Sequence, residues 1–179
     1  MKVHHMNRVR SLALIALMTL LTGACMSQPD DGPNAPLPRK SRADTLAWAK
    51  QYTSTMAHYA QVTIADTPAP QAHFEDCVGK GDEVADDGRF TLTYATYARL
   101  PAQDHIAAVR KLRDALKKHG VDVSDYTEDL DRPAVTLYAK NRAERFLITA
   151  DNTIKPANTL LLAVSTSCFL PPGAEQQKF

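Results

Sequence analysis

Three cysteines, Cys25, Cys77 and Cys168, and the run His73-Phe74-Glu75-Asp76-Cys77 hold the side chains of this 179-residue chain whose types could do chemistry. An imidazole, two carboxylates and a thiol within five residues could ligate a metal or move protons. Neighbours in an extended segment point in alternating directions, so His73, Glu75, Asp76 and Cys77 do not converge by themselves, and a solvated approach to a disulfide is the plainer expectation. A metal site on His73 and Cys77 has no second ligand pair, so neither a metal nor a cofactor is expected. Hydrolysis by a nucleophile needs Ser or Cys with a His and an orienting acid, and no Gly-x-Ser-x-Gly elbow occurs. There is also no His-Glu-x-x-His, no dinucleotide fingerprint and no internal repeat. Gly79-Lys80-Gly81-Asp82 lacks the Lys-Ser/Thr ending of a phosphate loop. Asp125, Glu128, Asp129 and Asp131 do not have calcium-loop spacing and read as a solvated turn.

Cys25 stands apart because of what precedes it. Lys2, Arg8 and Arg10 lead into the apolar run from Leu12 to Leu21, the charged start and short hydrophobic stretch of an export signal, too short to span a bilayer. Thr22-Gly23-Ala24-Cys25 then resembles the lipobox of bacterial lipoproteins, with Thr22 where that family prefers Leu. The resemblance implies removal of residues 1–24, diacylation of the Cys25 thiol, and the cell membrane as a partner on its extracytoplasmic face. A plain secreted protein with an incidental cysteine is the alternative.

Cleavage there would leave 155 residues and reduce the 21 Lys and Arg to 18 against 20 Asp and Glu, a formal charge of −2. A nearly neutral chain is a poor candidate for nucleic acid, which needs a basic face, and its length suits one domain with a sizeable core. With Cys25 assigned to lipid, Cys77 and Cys168 are an even pair in an oxidising compartment, and a bridge between them is expected. A buried pair of inert thiols is the other possibility, beside the weak metal site.

The elements that must position these groups follow from composition and period. Residues 25–43 are Pro-rich and poor in large apolar groups, and a disordered spacer after the acylated cysteine is expected. One α+β domain is expected over 44–173, with 174–179 a frayed tail. A helix starts at Asp44, read as its N-cap, and its stripe of Trp48, Tyr52 and Tyr59 is either a ligand-stacking face or the face buried against a sheet. Residues 66–76 read as loop. Arg89–Ala98 alternates as a half-buried strand after the turn Asp86-Asp87-Gly88. A second helix runs from Pro101 to His119 with Ile106, Val109, Leu112 and Leu116 as its apolar stripe and Gly120 as its stop. His58, His105 and His119 fall on helices, where exposed positions account for them. A strand near 121 should run parallel to the strand near 90, strands are expected over 134–140 and 145–150, and the apolar run 159–166 is the candidate for a central strand. The sum is a mainly antiparallel sheet of about five strands with two helices on one face.

Val84-Ala85-Asp86-Asp87-Gly88-Arg89-Phe90-Thr91-Leu92 and Ala163-Val164-Ser165-Thr166-Ser167-Cys168-Phe169-Leu170-Pro171-Pro172-Gly173 are similar to segments of small actinobacterial lipoproteins, a resemblance that covers roughly residues 44–173. It implies a membrane-anchored α+β domain at the cell surface and no assigned reaction. The functional expectation is a non-enzymatic module binding a protein or small molecule, with Trp48, Tyr52, His73 and Glu75 as candidate ligand-facing residues. The alternatives are an exported enzyme whose site assembles from distant residues and a carrier of an apolar molecule that uses Trp48, Tyr52, Phe90 and Tyr94.

Overall fold

The computed structural model describes residues 34–79, 81–153 and 157–179. The expected leader and Cys25 lie outside the described residues. Helices α1 (Arg42–Ala60) and α2 (Ala102–Lys118) accompany strands β1 (Gln71–Asp76), β2 (Phe90–Arg99), β3 (Asp122–Asp129), β4 (Ala134–Asn141), β5 (Phe146–Asp151) and β6 (Thr159–Thr166). The strands form one sheet in the order β1-β2-β6-β5-β4-β3, antiparallel at every pairing. The fold is α+β, with six strands instead of about five. β6 lies between β2 and β5, and three strands separate β2 from β3, which run in the same direction.

Alternation places Leu92, Tyr94 and Ala98 of β2, Leu160, Leu162 and Val164 of β6, Phe146 and Ile148 of β5 and Leu137 of β4 in one core under both helices. α2 meets this core through Ile106, Val109, Leu112 and Leu116, and it ends as its sequence demands. Gly120 takes φ +75°, and the N–H groups of Gly120 and Val121 donate to the carbonyls of Lys117 and Leu116, both at 3.0 Å. α1 buries Met56 and small residues instead of its aromatic stripe: Thr45, Ala49, Thr53, Ala57 and Ala60 face inward with Met56, while Trp48, Tyr52 and Tyr59 pack at the margin. Small side chains let α1 approach the sheet and α2 closely. Its N-cap is Ser41, not Asp44. The Asp44 N–H donates to Ser41 Oγ at 3.0 Å, and that hydroxyl donates back to the Asp44 carboxylate at 2.7 Å.

Two segments read as irregular are edge strands. Residues 71–76, expected in a loop, pair without a slip against Phe90–Ala95. Phe74 is the one large apolar residue there, because an edge strand needs the backbone ladder of its neighbour and little burial. The acidic stretch is likewise a strand through Asp129, and the turn is confined to 130–133. Two of its carboxylates have separate partners. Glu128 takes Arg110 Nε at 2.9 Å and the Tyr126 hydroxyl, and Asp129 accepts from the N–H groups of Asp131 and Arg132. Charge and a bulge between Val123 and Asp125 keep this edge from pairing with another chain.

Residues 34–41, expected within the spacer, and 175–179, expected to fray, are laid against each other. Leu37 N–H donates to Gln176 Oε1, Gln176 Nε2 to the Ala35 carbonyl, and Phe179 N–H to Asn34 Oδ1, at 2.8–2.9 Å. The Lys40 N–H donates to the Leu170 carbonyl and the Leu170 N–H to that of Pro38. Prolines suit such a laid-down segment, since their ring costs the chain no donor that a strand partner would need. Below this seam lies a buried ion pair. Arg89 Nε donates to Asp87 Oδ1 at 2.8 Å, and Gln177 closes over the pair through its N–H to Asp87 Oδ2 (2.9 Å) and its carbonyl to an Arg89 guanidinium nitrogen (2.5 Å). Gly88, between the two charges, takes φ +72°, so Asp87-Gly88-Arg89 is a turn built to fold a carboxylate onto the guanidinium two residues on.

Candidate functional site

Cys77 and Cys168 are joined as a disulfide with their Cα atoms 6.1 Å apart, within the ordinary span of such bonds. The bridge ties the end of β1 to the chain leaving β6. The next residue, Phe169, is held to Phe90 by reciprocal N–H to carbonyl bonds of 2.8 and 2.9 Å, which fixes where its ring lies.

That ring is one wall of a pocket of about 260 Å³. Pro38 and Lys40 close one side, Trp48 of α1 another, and the β4–β5 turn brings Ala143, Glu144 and Arg145 to the mouth. Phe146 and Thr166 complete the lining. They sit opposite one another in the β5–β6 ladder. Phe146 is the anchor of the aromatic group: its ring is 4.9 Å from that of Trp48 and 4.7 Å from that of Tyr52, edge to face in both cases. The Lys40 ammonium lies over two rings at once, 5.1 Å from the centroid of Trp48 and 5.7 Å from that of Phe169. The Thr166 hydroxyl accepts the Leu92 N–H at 2.9 Å and thereby ties the floor to β2.

Of the residues expected to face a ligand, Trp48 reaches the pocket and Tyr52 stands behind it against Phe146. Burial, with Glu144 and Tyr59 adding to it, pushes the Tyr52 phenol up to about 12, so it stays protonated at any physiological pH. His73 and Glu75 are elsewhere. They lie on the exposed edge strand β1, with Nε2 and Oε1 3.2 Å apart and both side chains more than half exposed, and they do not line the pocket. Among the described residues no group of His, Cys, Asp and Glu side chains could hold a metal. Phe90 and Tyr94, named for an apolar carrier, are 0% and 6% exposed in the core and do not line the pocket. A larger depression of about 450 Å³ at the other end of the sheet is lined by Thr67, Pro68, Arg99, Ala157, Asn158 and Thr159, with one charged side chain and no ring.

His105 is not exposed as its type suggests. It is 1% exposed, with Nε2 2.8 Å from the Leu100 carbonyl and Nδ1 2.7 Å from Asn152 Nδ2. The first contact makes Nε2 the protonated nitrogen and the second makes Nδ1 an acceptor, so the ring is a neutral bridge between α2 and the end of β5. Burial holds its pKa below the usual imidazole value.

Lys40, Glu144, Arg145, Phe146 and Phe169 are the lining residues that sequence reasoning missed. Lys40 was hidden by the proline-rich composition around it, and the two phenylalanines look like any strand residue. Chemically the lining offers ring faces and charges of both signs, groups that can hold a small molecule. Among the described residues no helix is long and apolar enough to cross a membrane. Comparison with known proteins finds no matching family model, no matching curated protein and no matching solved structure.

Proposed function

We infer that this protein is an exported lipoprotein, held to the extracytoplasmic face of the cell membrane through lipid on Cys25, whose α+β domain is a non-enzymatic binding module with the Trp48 pocket as its site. The observation that carries this reading is the pairing of Cys77 with Cys168. A structural disulfide belongs to an oxidising compartment, and of the three cysteines Cys25, behind the apolar leader, is the one outside that bridge.

Mass spectrometry of membrane fractions tests the anchor. A chain beginning at Cys25, with diacylglyceryl on its thiol and residues 1–24 gone, is the expected result, and Cys25→Ser is expected to move the protein out of the membrane fraction. An unmodified chain that begins elsewhere and stays soluble refutes the anchor.

A further inference from the structure

Lys40 supplies a feature that packing does not require. Its backbone N–H already fastens the segment to Leu170, yet its side chain is laid across Trp48 and Phe169 at the pocket. Among the described residues no carboxylate lies within ion-pair distance of that ammonium. An ammonium resting on ring faces is a weak arrangement that a carboxylate displaces readily, because a charge-assisted hydrogen bond is stronger than an exposed cation–π contact. A single ammonium over the two rings complements one carboxylate and disfavours a cation. The remaining wall is aromatic, with Trp48 and Phe146 edge to face and the ring of Phe169 under Lys40, so the surface uncovered when Lys40 lifts is a pair of π-faces. At about 260 Å³ the pocket has the volume of roughly nine waters, room for one or two fused rings and a short acidic arm.

We propose that the pocket binds a small aromatic monocarboxylate, its ring taking the place of the Lys40 ammonium on Trp48 and Phe169 and its carboxylate pairing with that same ammonium at the rim. This rests on the reading of the Trp48 pocket as the binding site and not on the lipid anchor.

Trp48 is the only tryptophan in the chain, so its fluorescence reports the pocket directly. The protein is taken as the cell makes it, in detergent if anchored and in buffer if not, so that a missing anchor and an empty pocket are separate results. Phenylacetate, phenylacetamide and phenethylamine are the probes, the last two having the same ring with a neutral and a cationic arm. Phenylacetate is expected to give a saturable change with half-saturation at about 10 mM or below, as befits a ligand of so few atoms. The amide and the amine are expected to bind about tenfold more weakly. Lys40→Met is expected to remove that preference by weakening phenylacetate about tenfold while leaving the amide unchanged, and Lys40→Arg to restore most of it. Equal binding of acid and amide, preference for the amine, a Lys40→Met variant that melts like the parent and binds phenylacetate equally well, or no saturable change with any probe would each overturn the proposal.

Discussion

Replacing Arg89 with methionine tests whether the buried ion pair holds the seam of the fold. Methionine keeps an apolar stem of similar length and removes every guanidinium donor. Arg89 and Asp87 have side chains only 3% and 1% exposed, so the Asp87 carboxylate would be left in the interior with the N–H groups of residue 89 and Gln177 and no opposite charge. Leaving one member of a buried pair unpartnered costs on the order of 3–5 kcal/mol. For a domain of this size that corresponds to a fall of about 10 °C in Tm. Urea titration at pH 7 measures the loss, and the same titration at pH 3 tests its cause. Hydrogen bonds from Arg89 are the main influence holding the Asp87 carboxyl well below the usual carboxylate range. A carboxyl with a depressed folded pKa contributes stability above its unfolded value of about 3.9, and that stability is lost as the pH falls below it. In the variant, burial without the guanidinium raises the same pKa, so the residue protonates easily and the gap between parent and variant is expected to narrow at pH 3. A double variant with Asp87→Asn added is expected to recover part of the loss at pH 7. A cost below about 1 kcal/mol, the range of exposed pairs, or a gap equal at both pH values would refute this reasoning.

Two further outcomes are expected. Because burial lowers the His105 pKa in the folded state, the unfolded chain takes up the proton first. Stability conferred by the neutral ring is therefore full above about pH 6.5 and falls as the pH drops through and below it, by at most about 1.4 kcal/mol per pH unit. Urea midpoints between pH 7.5 and 5 should show that slope, and His105→Gln should flatten it at some cost in stability. Thr96 is 1% exposed, and among the described residues its hydroxyl has no hydrogen-bond partner, so Thr96→Val should stabilise the domain by about 1 kcal/mol, read as a rise in Tm. An unchanged or lower Tm means that the hydroxyl is satisfied in solution.

Which parts of the molecule were legible in the sequence follows from what each part has to satisfy. β2 and α2 bury apolar side chains at a fixed period, β6 is apolar along its length because both its faces are covered, and both patterns can be read. β1 and β3 are held by the backbone ladders of their neighbours, and a ladder leaves no mark on side-chain type, so Gln71–Asp76 and Asp125–Asp129 looked like loop and turn. His105 was misjudged by chemistry and not by position. It stands four residues before Val109, on the stripe that continues through Leu112 and Leu116, and spacing alone marks it as buried. The cysteine pair could be argued from compartment and parity, and the bond is there. The pocket could not, because its walls come from the residues before α1, from α1, from the β4–β5 turn and from the chain after β6. Trp48 was visible as the first aromatic of the α1 stripe, but nothing in the sequence brings Lys40 over it.

The junction of Asn34 with Phe179 makes the described domain a closed ring in all but one covalent link. A short connector from Phe179 back to Asn34 would complete that ring, and it could be reopened at the turn 130–133, which lies at the other end of the sheet and where Leu130 is 69% exposed. Every ladder would keep its partners in such a rewired chain. In the natural order the same closeness means that anything fused after Phe179 emerges beside the point where the chain enters the domain, while an insertion at the 130–133 turn stands on the opposite side.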